Sequence, residues 1–229
     1  MKIAIMQPYF LPYLGYWQLI NSADVFVIFD DANYIRGGYI NRNNIIVQGE
    51  SKLFSLELVK ASQYKLINQI ELINDSRKIL KTIEMNYKKA LYFNDIYPLL
   101  ENLFTYEEKN LAKFIGYSIK KISNYINIDT KFLYSSEIDK NKHLKGKDKI
   151  INICQKLNAK IYINPIGGQK LYSKKEFLNK KINLFFLETE LIKYKQLKDK
   201  FISNLSIIDI MMHNNKDEIK NMLKKYKLQ

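Results

Sequence analysis

The first thirty residues constrain the fold more than any other part of the chain. Two apolar runs, KIAIM at residues 2–6 and VFVIF at residues 25–29, have the length and composition of buried strands. Residues 13–22 between them suit a short helix with Gly15 near its start. Strand, helix and strand in so short a stretch predict a compact βαβ unit, and its parallel pairing implies an α/β fold.

The later segments extend this alternation. Further strands are predicted at residues 53–59, 131–135, 159–164 and 182–188. We expect the last of these to be the final strand. Helices are predicted at residues 145–158 and, as a closing pair, around residues 205–226. We therefore predict a single α/β domain over residues 1–229, with a parallel-type sheet and an inserted helical segment at about 75–127.

The composition is that of a folded globular protein, because 47% of the residues are hydrophobic. No apolar run approaches the roughly 18 residues of a membrane helix. Gln7 and Pro8 interrupt the first apolar run and no small-residue cleavage site follows, so we expect no signal peptide. The lone Cys154 excludes a disulfide framework within one chain; we expect a buried structural thiol and a cytoplasmic protein.

The chain is strongly basic, since 37 basic and 23 acidic residues give a net charge of +14. Such a charge attracts anionic partners, which include nucleotides, phosphorylated carriers, lipid surfaces and nucleic acid. The lysines are spread along predicted helices, so a solvated face explains much of the charge equally well. No nucleic-acid recognition motif is present, and a nucleic-acid binder ranks last. We expect a nucleotide-linked or phosphate-bearing small molecule as substrate, and a charged tRNA remains open as a donor.

The stretch QPYFLPYLGYW, at residues 7–17, is the first candidate site. Its two prolines stiffen the loop. Gln7 both donates and accepts hydrogen bonds, and Tyr9 and Tyr13 combine hydroxyls with flat apolar rings, a mixture that suits a sugar or a nucleoside. Gly15 allows a close backbone approach at a helix start, where an anion is favoured. The alternative is an aromatic-rich turn that only packs beneath neighbouring helices.

The stretch DDANYIRGGYINRN, at residues 30–43, is the second candidate site. Asp30 and Asp31 could act as general base, metal ligand or ribose acceptor, and only one of them is expected to face the site, because neighbouring side chains on extended backbone point oppositely. Arg42 is the third catalytic candidate and forms an anion clamp with Arg36. The substrate-binding candidates here are Tyr34, Arg36, Asn41 and Asn43. A polar turn with surface ion pairs is the alternative.

Both stretches follow parallel strands, so we expect them to open onto one crevice at the carboxyl edge of the sheet. The loop NPIGGQKLY follows a later strand and adds the substrate-binding candidates Asn164, Gly167, Gly168 and Tyr172, with a plain turn as the alternative. His143 and His213 lie in polar stretches without partner spacing, so neither a metal site nor a histidine-based triad is expected. Asp209 is a further polar residue among apolar ones, where bonding to a nearby backbone or basic group is the simpler reading.

Taken together, these motifs resemble the WbqC-like proteins. The resemblance rests on QPYFLPYLGYW, the strand into Asp30-Asp31, the YIR and NRN triplets, YINPIGGQKLY and NLSIIDI, and it runs from residue 1 to about 212. It implies a part in assembling O-antigen, capsule or flagellar glycan, as a transferase that modifies a sugar. The start is also similar to nucleotidyltransferase-type folds, including pantothenate synthetase. Those carry H-x-G-H where this chain has YLGY at residues 13–16, so we expect the fold to carry over but not the phosphoryl-stabilising role of those histidines.

The resemblance and the residues lead to two functional hypotheses. The first is an enzyme that transfers an acyl or aminoacyl group to an amino sugar, as a transferase or an ATP-dependent amide ligase, with Asp30 or Asp31 as base. The donor is left open between an adenylate made from ATP, a thioester and a charged tRNA. The second is a non-catalytic module that binds a nucleotide or sugar nucleotide. The cofactor is left open, with ATP or a nucleotide-linked substrate as the candidates.

Overall fold

The described part of the chain alternates strands with helices. The structure is a computed structural model that describes residues 1–73, 75–197 and 200–229. Within them the strands are β1 (Lys2–Met6), β2 (Val25–Ile28), β3 (Arg42–Val47), β4 (Glu50–Ser55), β5 (Leu58–Val59), β6 (Glu71–Leu72), β7 (Lys131–Tyr134), β8 (Ile161–Pro165), β9 (Asn183–Thr189) and β10 (Tyr226–Leu228). The helices of the same residues are α1 (Leu14–Asn21), α2 (Arg77–Tyr87), α3 (Phe93–Phe104), α4 (Leu111–Tyr125), α5 (Gly146–Lys156), α6 (Lys174–Leu178), α7 (Ile207–His213) and α8 (Lys216–Met222).

The central sheet confirms the predicted mixed α/β class with mostly parallel strands. Across the described residues its order is β10-β9-β8-β1-β2-β7, and β10 alone is antiparallel to its neighbour. The unit β1-α1-β2 is the predicted βαβ unit, with Ile3 opposite Val25. Helices α2, α3 and α4 occupy the segment predicted to be helical. The nucleotidyltransferase-like character of the start and the single domain stay predictions.

Two strand predictions are wrong. Residues 182–188 are not the final strand, because β10 follows and adds antiparallel to β9. Residues 53–59 are not one strand, because β4 ends at Ser55 and β5 begins only at Leu58. The two strands belong to different sheets, since β4 pairs with β3 and β5 pairs with β6.

A β-hairpin lies where the sequence predicted the end of a loop. Strands β3 and β4 pair antiparallel from Arg42 opposite Ser55 to Val47 opposite Glu50. The turn residues Gln48 and Gly49 both have positive φ, at 55° and 88°. Two successive positive φ values are what a type I′ hairpin turn requires. The last part of the second candidate stretch therefore lies on a strand.

The sheet is covered on both faces, and the alternation of side chains decides which residues meet which layer. Phe26 and Ile28 of β2 join a core that includes α1, α4 and α7, whereas Val25 and Val27 join a core with α5 and α6. Cys154 of α5 is fully buried in the second core, and burial raises the pKa of its thiol to about 12. The predicted buried thiol is confirmed.

The strand order reverses beside β1. From β1 the chain first extends the sheet through β2 to β7 and later adds β8 and β9 on the opposite side. In open α/β sheets, ligands bind outside the carboxyl ends of the strands at such a reversal. The ends of β1 and β8 are therefore the place where the topology favours a site. Among the described helices, none has both the length and the apolar character needed to cross a membrane.

Candidate functional site

A cavity lined by tyrosines lies at this reversal and is called the tyrosine cavity below. Its volume is about 230 Å³, and it touches the last residues of both strands, Met6 of β1 and Pro165 of β8. Its other lining residues are Gln7, Pro8, Tyr9, Tyr13, Tyr16, Tyr39 and Ile40. The predicted binding residues Gln7, Tyr9 and Tyr13 therefore share one cavity, which also contains two residues of the second stretch.

Two further cavities adjoin the tyrosine cavity through shared side chains. One of about 410 Å³ shares Tyr9, Tyr13 and Tyr39 with it and reaches Ser203 and Asn204. Another of about 180 Å³ shares Tyr13 and extends along the end of β9. Because the ring of Tyr13 borders all three cavities, the tyrosine cavity forms part of a longer groove at the carboxyl edge.

The tyrosines form a cluster of neutral hydroxyls. The ring centroid of Tyr9 lies 6.2 Å from that of Tyr13, 5.9 Å from Tyr16 and 5.7 Å from Tyr39. Burial raises the pKa of Tyr9, Tyr13 and Tyr16, so all three keep their protons at neutral pH. They can hydrogen-bond to and stack against a ligand, but they are poor bases.

Asn43 joins the second stretch to the first. Its side chain is fully buried; Nδ2 donates to the carbonyl of Leu11 at 2.6 Å, and Oδ1 accepts from the hydroxyl of Tyr9 at 3.2 Å. These contacts position the Tyr9 ring, so Asn43 acts on the cavity through Tyr9. Tyr34 and Asn41 are also buried and bond to each other at 2.9 Å, away from the tyrosine cavity.

The predicted arginine clamp does not border the tyrosine cavity. Nε of Arg42 donates to the carbonyl of Gly38 at 2.9 Å, and its guanidinium carbon lies 5.8 Å from the ring centroid of Tyr39. Arg36 is exposed. Arg42 therefore supports the Tyr39 turn, and an anion-binding role for either arginine stays a prediction.

The glycine-bearing candidates pack mainly against their own loops. A methyl group on Gly15 would lie 2.6 Å from the Tyr13 ring and 2.7 Å from Oγ1 of Thr189, so this glycine allows the ring to fold back over α1. Gly168 likewise packs against the side-chain amide of Asn164. Gly167 is exposed.

Asn164 and Tyr172 belong to the core on the α5 side of the sheet. Nδ2 of Asn164 donates to the hydroxyl of Tyr162 at 2.6 Å. The Tyr172 ring lies 5.8 Å from Phe177 between centroids. From the predicted NPIGGQKLY loop, Pro165 is the residue that reaches the tyrosine cavity.

Asp30 and Asp31 face opposite sides, as predicted. Asp30 is buried and accepts from the amide and hydroxyl of Ser136 at 2.9 Å and 2.6 Å, and it lines a small cavity of about 170 Å³. Asp31 points the other way, into a cavity of about 570 Å³. Neither lines the tyrosine cavity, so the expectation that both stretches open onto one crevice is wrong for the aspartates. Both aspartates lie in the turn after β2, and their hydrogen-bond partners Ser135 and Ser136 come from the segment that follows β7.

Asp31 is held by two lysines that the sequence reading missed. Its Oδ2 lies 2.8 Å from Nζ of Lys140 and 2.9 Å from Nζ of Lys149, and Ser135 donates to its other oxygen. Partial burial acts to raise the pKa of Asp31, but the hydrogen bonds from Lys140, Ser135 and Lys149 outweigh it and lower the pKa. A carboxylate that is so readily ionised is a poor general base at neutral pH.

Comparison with known proteins identifies the family. The sequence model of the WbqC-like protein family matches residues 7–221. The chain belongs to the WbqC-like protein family. An uncharacterized protein, Rv1507c of Mycobacterium tuberculosis (strain ATCC 25618 / H37Rv), is 26% identical to it over 218 residues, which cover 93% of each chain. No solved structure matches this WbqC-like protein.

Asp209 of this WbqC-like protein lies at the centre of a buried polar cluster. Its carboxylate is fully buried and accepts from the hydroxyls of Tyr87 and Tyr194 at 3.0 Å and 2.7 Å and from Nε2 of Gln196 at 2.8 Å. Nδ1 of His213, four residues along α7, lies 3.8 Å from Oδ1. The same ring nitrogen bonds to the backbone carbonyl of Asp209 at 2.7 Å, so the partner of His213 is the main chain one turn earlier in α7. In residues 1–73, 75–197 and 200–229, no cluster of three or more His, Cys, Asp or Glu side chains could hold a metal ion.

Proposed function

We propose that this WbqC-like protein is a transferase that modifies an amino sugar in the assembly of a bacterial surface polysaccharide, such as O-antigen, capsule or flagellar glycan. The reaction is the transfer of an acyl or aminoacyl group to the sugar amine. The family resemblance supports the pathway. The tyrosine cavity at the reversal of strand order supports a sugar-binding site, and it is the observation on which the proposal depends.

The lining of the tyrosine cavity suits a sugar. The C–H faces of a sugar ring pack against aromatic rings, and its hydroxyls need neutral donors and acceptors close by. Four tyrosines and the amide of Gln7 supply both kinds of contact. The raised pKa values of Tyr9, Tyr13 and Tyr16 keep these hydroxyls neutral, and the described lining residues include no basic side chain to balance a phosphate, so a neutral sugar ring is favoured.

The proposed chemistry is attack of the sugar amine on an activated carbonyl. The C–N bond forms, the bond to the leaving group breaks, and the amine gives up one proton to a base. Asp30 or Asp31 as that base stays part of the proposal. Because its pKa is lowered, Asp31 is better suited to anchoring Lys140 and Lys149 than to accepting this proton.

A second candidate function is a module that binds a sugar nucleotide without converting it. The observation in its favour is that the pKa values of Tyr9 and Tyr13 are raised while that of Asp31 is lowered, so none of these groups has a pKa shifted towards neutral pH. Mass spectrometry separates the two functions. A mixture of protein, UDP-glucosamine, ATP and an amino acid should yield an amide of the sugar nucleotide if the protein is a transferase, and binding without a new mass supports the module.

Tyr39→Ala is expected to weaken binding of UDP-glucosamine about tenfold, because it removes one aromatic wall worth about 1.4 kcal/mol. Tyr39 is 50% exposed, so the fold should be unaffected. Tyr39→Phe keeps the ring and should bind within about threefold of the natural protein. Isothermal titration calorimetry measures these affinities.

Tyr64→Ala is the matched control, because Tyr64 is 86% exposed and lines none of the three adjoining cavities. Its affinity for UDP-glucosamine should equal that of the natural protein. Equal affinities for Tyr39→Ala and Tyr64→Ala would remove the support for a sugar in the tyrosine cavity.

A further inference from the structure

The cavity beside Asp31, called the lysine cavity below, differs from the tyrosine cavity in its charge. It lies at the carboxyl ends of β2 and β7 and has a volume of about 570 Å³. Four lysines line it together with Asp31: Lys140, Lys142, Lys145 and Lys149. Among the described residues that line it, Asp31 is the one acidic side chain, so these residues carry an excess of three positive charges.

Part of this excess charge lies deep in the cavity. The side chains of Lys140 and Lys149 are 2% and 11% exposed, and both ammonium groups share the single oxygen Oδ2 of Asp31. One carboxylate neutralises only one of the two ammonium groups. An uncompensated charge with little access to water is costly unless an anion joins it.

The two lysines also have hydrogen-bonding capacity to spare. An ammonium group has three donors. Besides Asp31 Oδ2, Lys140 donates to the carbonyl of Ser135, and Lys149 donates to the carbonyl of Asp31 at 2.7 Å. Within the described residues, these contacts occupy two donors on each lysine. One N–H of each remains for a ligand, on side chains already held in place.

The mouth of the lysine cavity adds further attraction for an anion. Lys142 and Lys145 are exposed there. Helix α5, 11 residues long, begins at Gly146 on the same wall, so its positive end adds to the charge of the lysines. Phe29 and Leu144 give the cavity apolar wall as well.

We propose that the lysine cavity binds the phosphate groups of an organic diphosphate, such as the diphosphate of a nucleotide. Several ammonium groups around one acidic residue complement a ligand with a multiply charged phosphate group better than a ligand with a single carboxylate. Phe29 and Leu144 contact the organic part. The inference deepens the proposed function and rests on it for the sugar, whereas phosphate binding can be tested without any sugar.

Calorimetry with pyrophosphate, ADP and UDP tests the site. The natural protein should bind all three, the nucleotides more tightly because they also contact the apolar wall. Lys142→Ala/Lys145→Ala should weaken each about tenfold, from the loss of two charges near the ligand. Both lysines are exposed, so the fold is retained. Lys88→Ala/Lys89→Ala is the matched control: it removes the same charge from exposed positions at the end of α2 and should leave the affinities unchanged.

Three outcomes would overturn the inference: no binding of pyrophosphate or nucleotides, equal weakening by both lysine pairs, or equal affinity for pyrophosphate and nucleotides. The first means that no phosphate site exists, the second that only the overall field attracts anions, and the third that the ligand is not organic. Failure of the proposed function looks different. Pyrophosphate and UDP binding that depends on Lys142 and Lys145, with no gain for UDP-glucosamine over UDP, supports the lysine cavity and contradicts the sugar site.

Discussion

Asp209→Ala is expected to lower the free energy of unfolding by about 4 kcal/mol, which makes it one of the most destabilising single substitutions in the chain. The carboxylate is fully buried and is the common acceptor for Tyr87, Tyr194 and Gln196. Removing it leaves two hydroxyls and an amide without their acceptor, and each unsatisfied donor costs about 1–3 kcal/mol. Urea denaturation followed by circular dichroism measures the loss.

Two variants separate this network from a general effect of removing a carboxylate. Asp209→Asn keeps the shape and one acceptor oxygen, so it should lose about half as much stability as Asp209→Ala. Asp217→Ala removes an exposed carboxylate from the first turn of α8 and should cost less than about 1 kcal/mol. A similar small loss for Asp209→Ala would show that the buried network contributes little.

The partners of Asp209 in this network were only partly predictable from the sequence. Their spacing of four residues places them on one face of α7, and that local signal was available. The other partners were not: Tyr87 lies 122 residues away on α2. Only tertiary packing, in which α2 and α7 both lie against α3 and β3, brings its hydroxyl to the carboxylate. A buried acidic residue can be noted from an apolar pattern, but its partners depend on tertiary contacts.

The fold was predictable where local pattern decides it. The buried strands β1, β2 and β8 are short apolar runs, and their burial on both faces of the sheet leaves a clear signal. Strand β10 was missed because its three residues are mostly exposed, and only pairing with β9 makes them a strand. The β3–β4 hairpin was missed because its turn places Gln48 at a positive φ, a conformation for which glutamine has no preference.

The candidate site was likewise predictable where its residues lie close together in the sequence. Gln7, Tyr9 and Tyr13 are close in sequence and follow β1, so the topology alone brings them to the reversal of strand order. Asp31 also follows a strand, but its partner Lys149 lies 118 residues away at the start of α5. The stretch SSEIDKNKHLKGK follows β7 at the same edge of the sheet. Because this stretch also follows a strand of the parallel sheet, its lysines were predictable as site residues from the topology alone.

The carboxyl edge therefore has two chemically distinct sides on neighbouring strands. The end of β1 presents neutral tyrosines, and the end of β2 presents Asp31 with its lysines. A transferase needs a place for a polar acceptor and a place for a charged donor or leaving group. Under the proposed function, the tyrosine cavity takes the acceptor and the lysine cavity takes the charged group. Asp31 holds Lys140 and Lys149 in place in the lysine cavity.

Asp31→Asn is accordingly expected to lower the free energy of unfolding by about 3 kcal/mol at pH 7, since it leaves the nearly buried Lys140 and Lys149 without a counter-charge. The effect should depend on pH. The folded-state pKa of Asp31 is lowered, so its stabilising contribution is complete above the unfolded value of about 4 and is lost as pH falls through the folded pKa. The stabilities of the natural protein and Asp31→Asn should therefore begin to converge as pH falls below about 4 and meet only below the folded-state pKa.

Urea unfolding of both proteins at intervals between pH 7 and pH 3 measures this convergence. Asp139→Asn is the control, because its carboxylate is fully exposed and 3.7 Å from Lys156; its stability curve should run parallel to that of the natural protein. Adding Lys140→Met to Asp31→Asn should recover part of the lost stability, because it removes one of the two unbalanced ammonium groups. If the double variant is less stable than Asp31→Asn alone, Lys140 contributes packing and hydrogen bonding that outweigh its unbalanced charge.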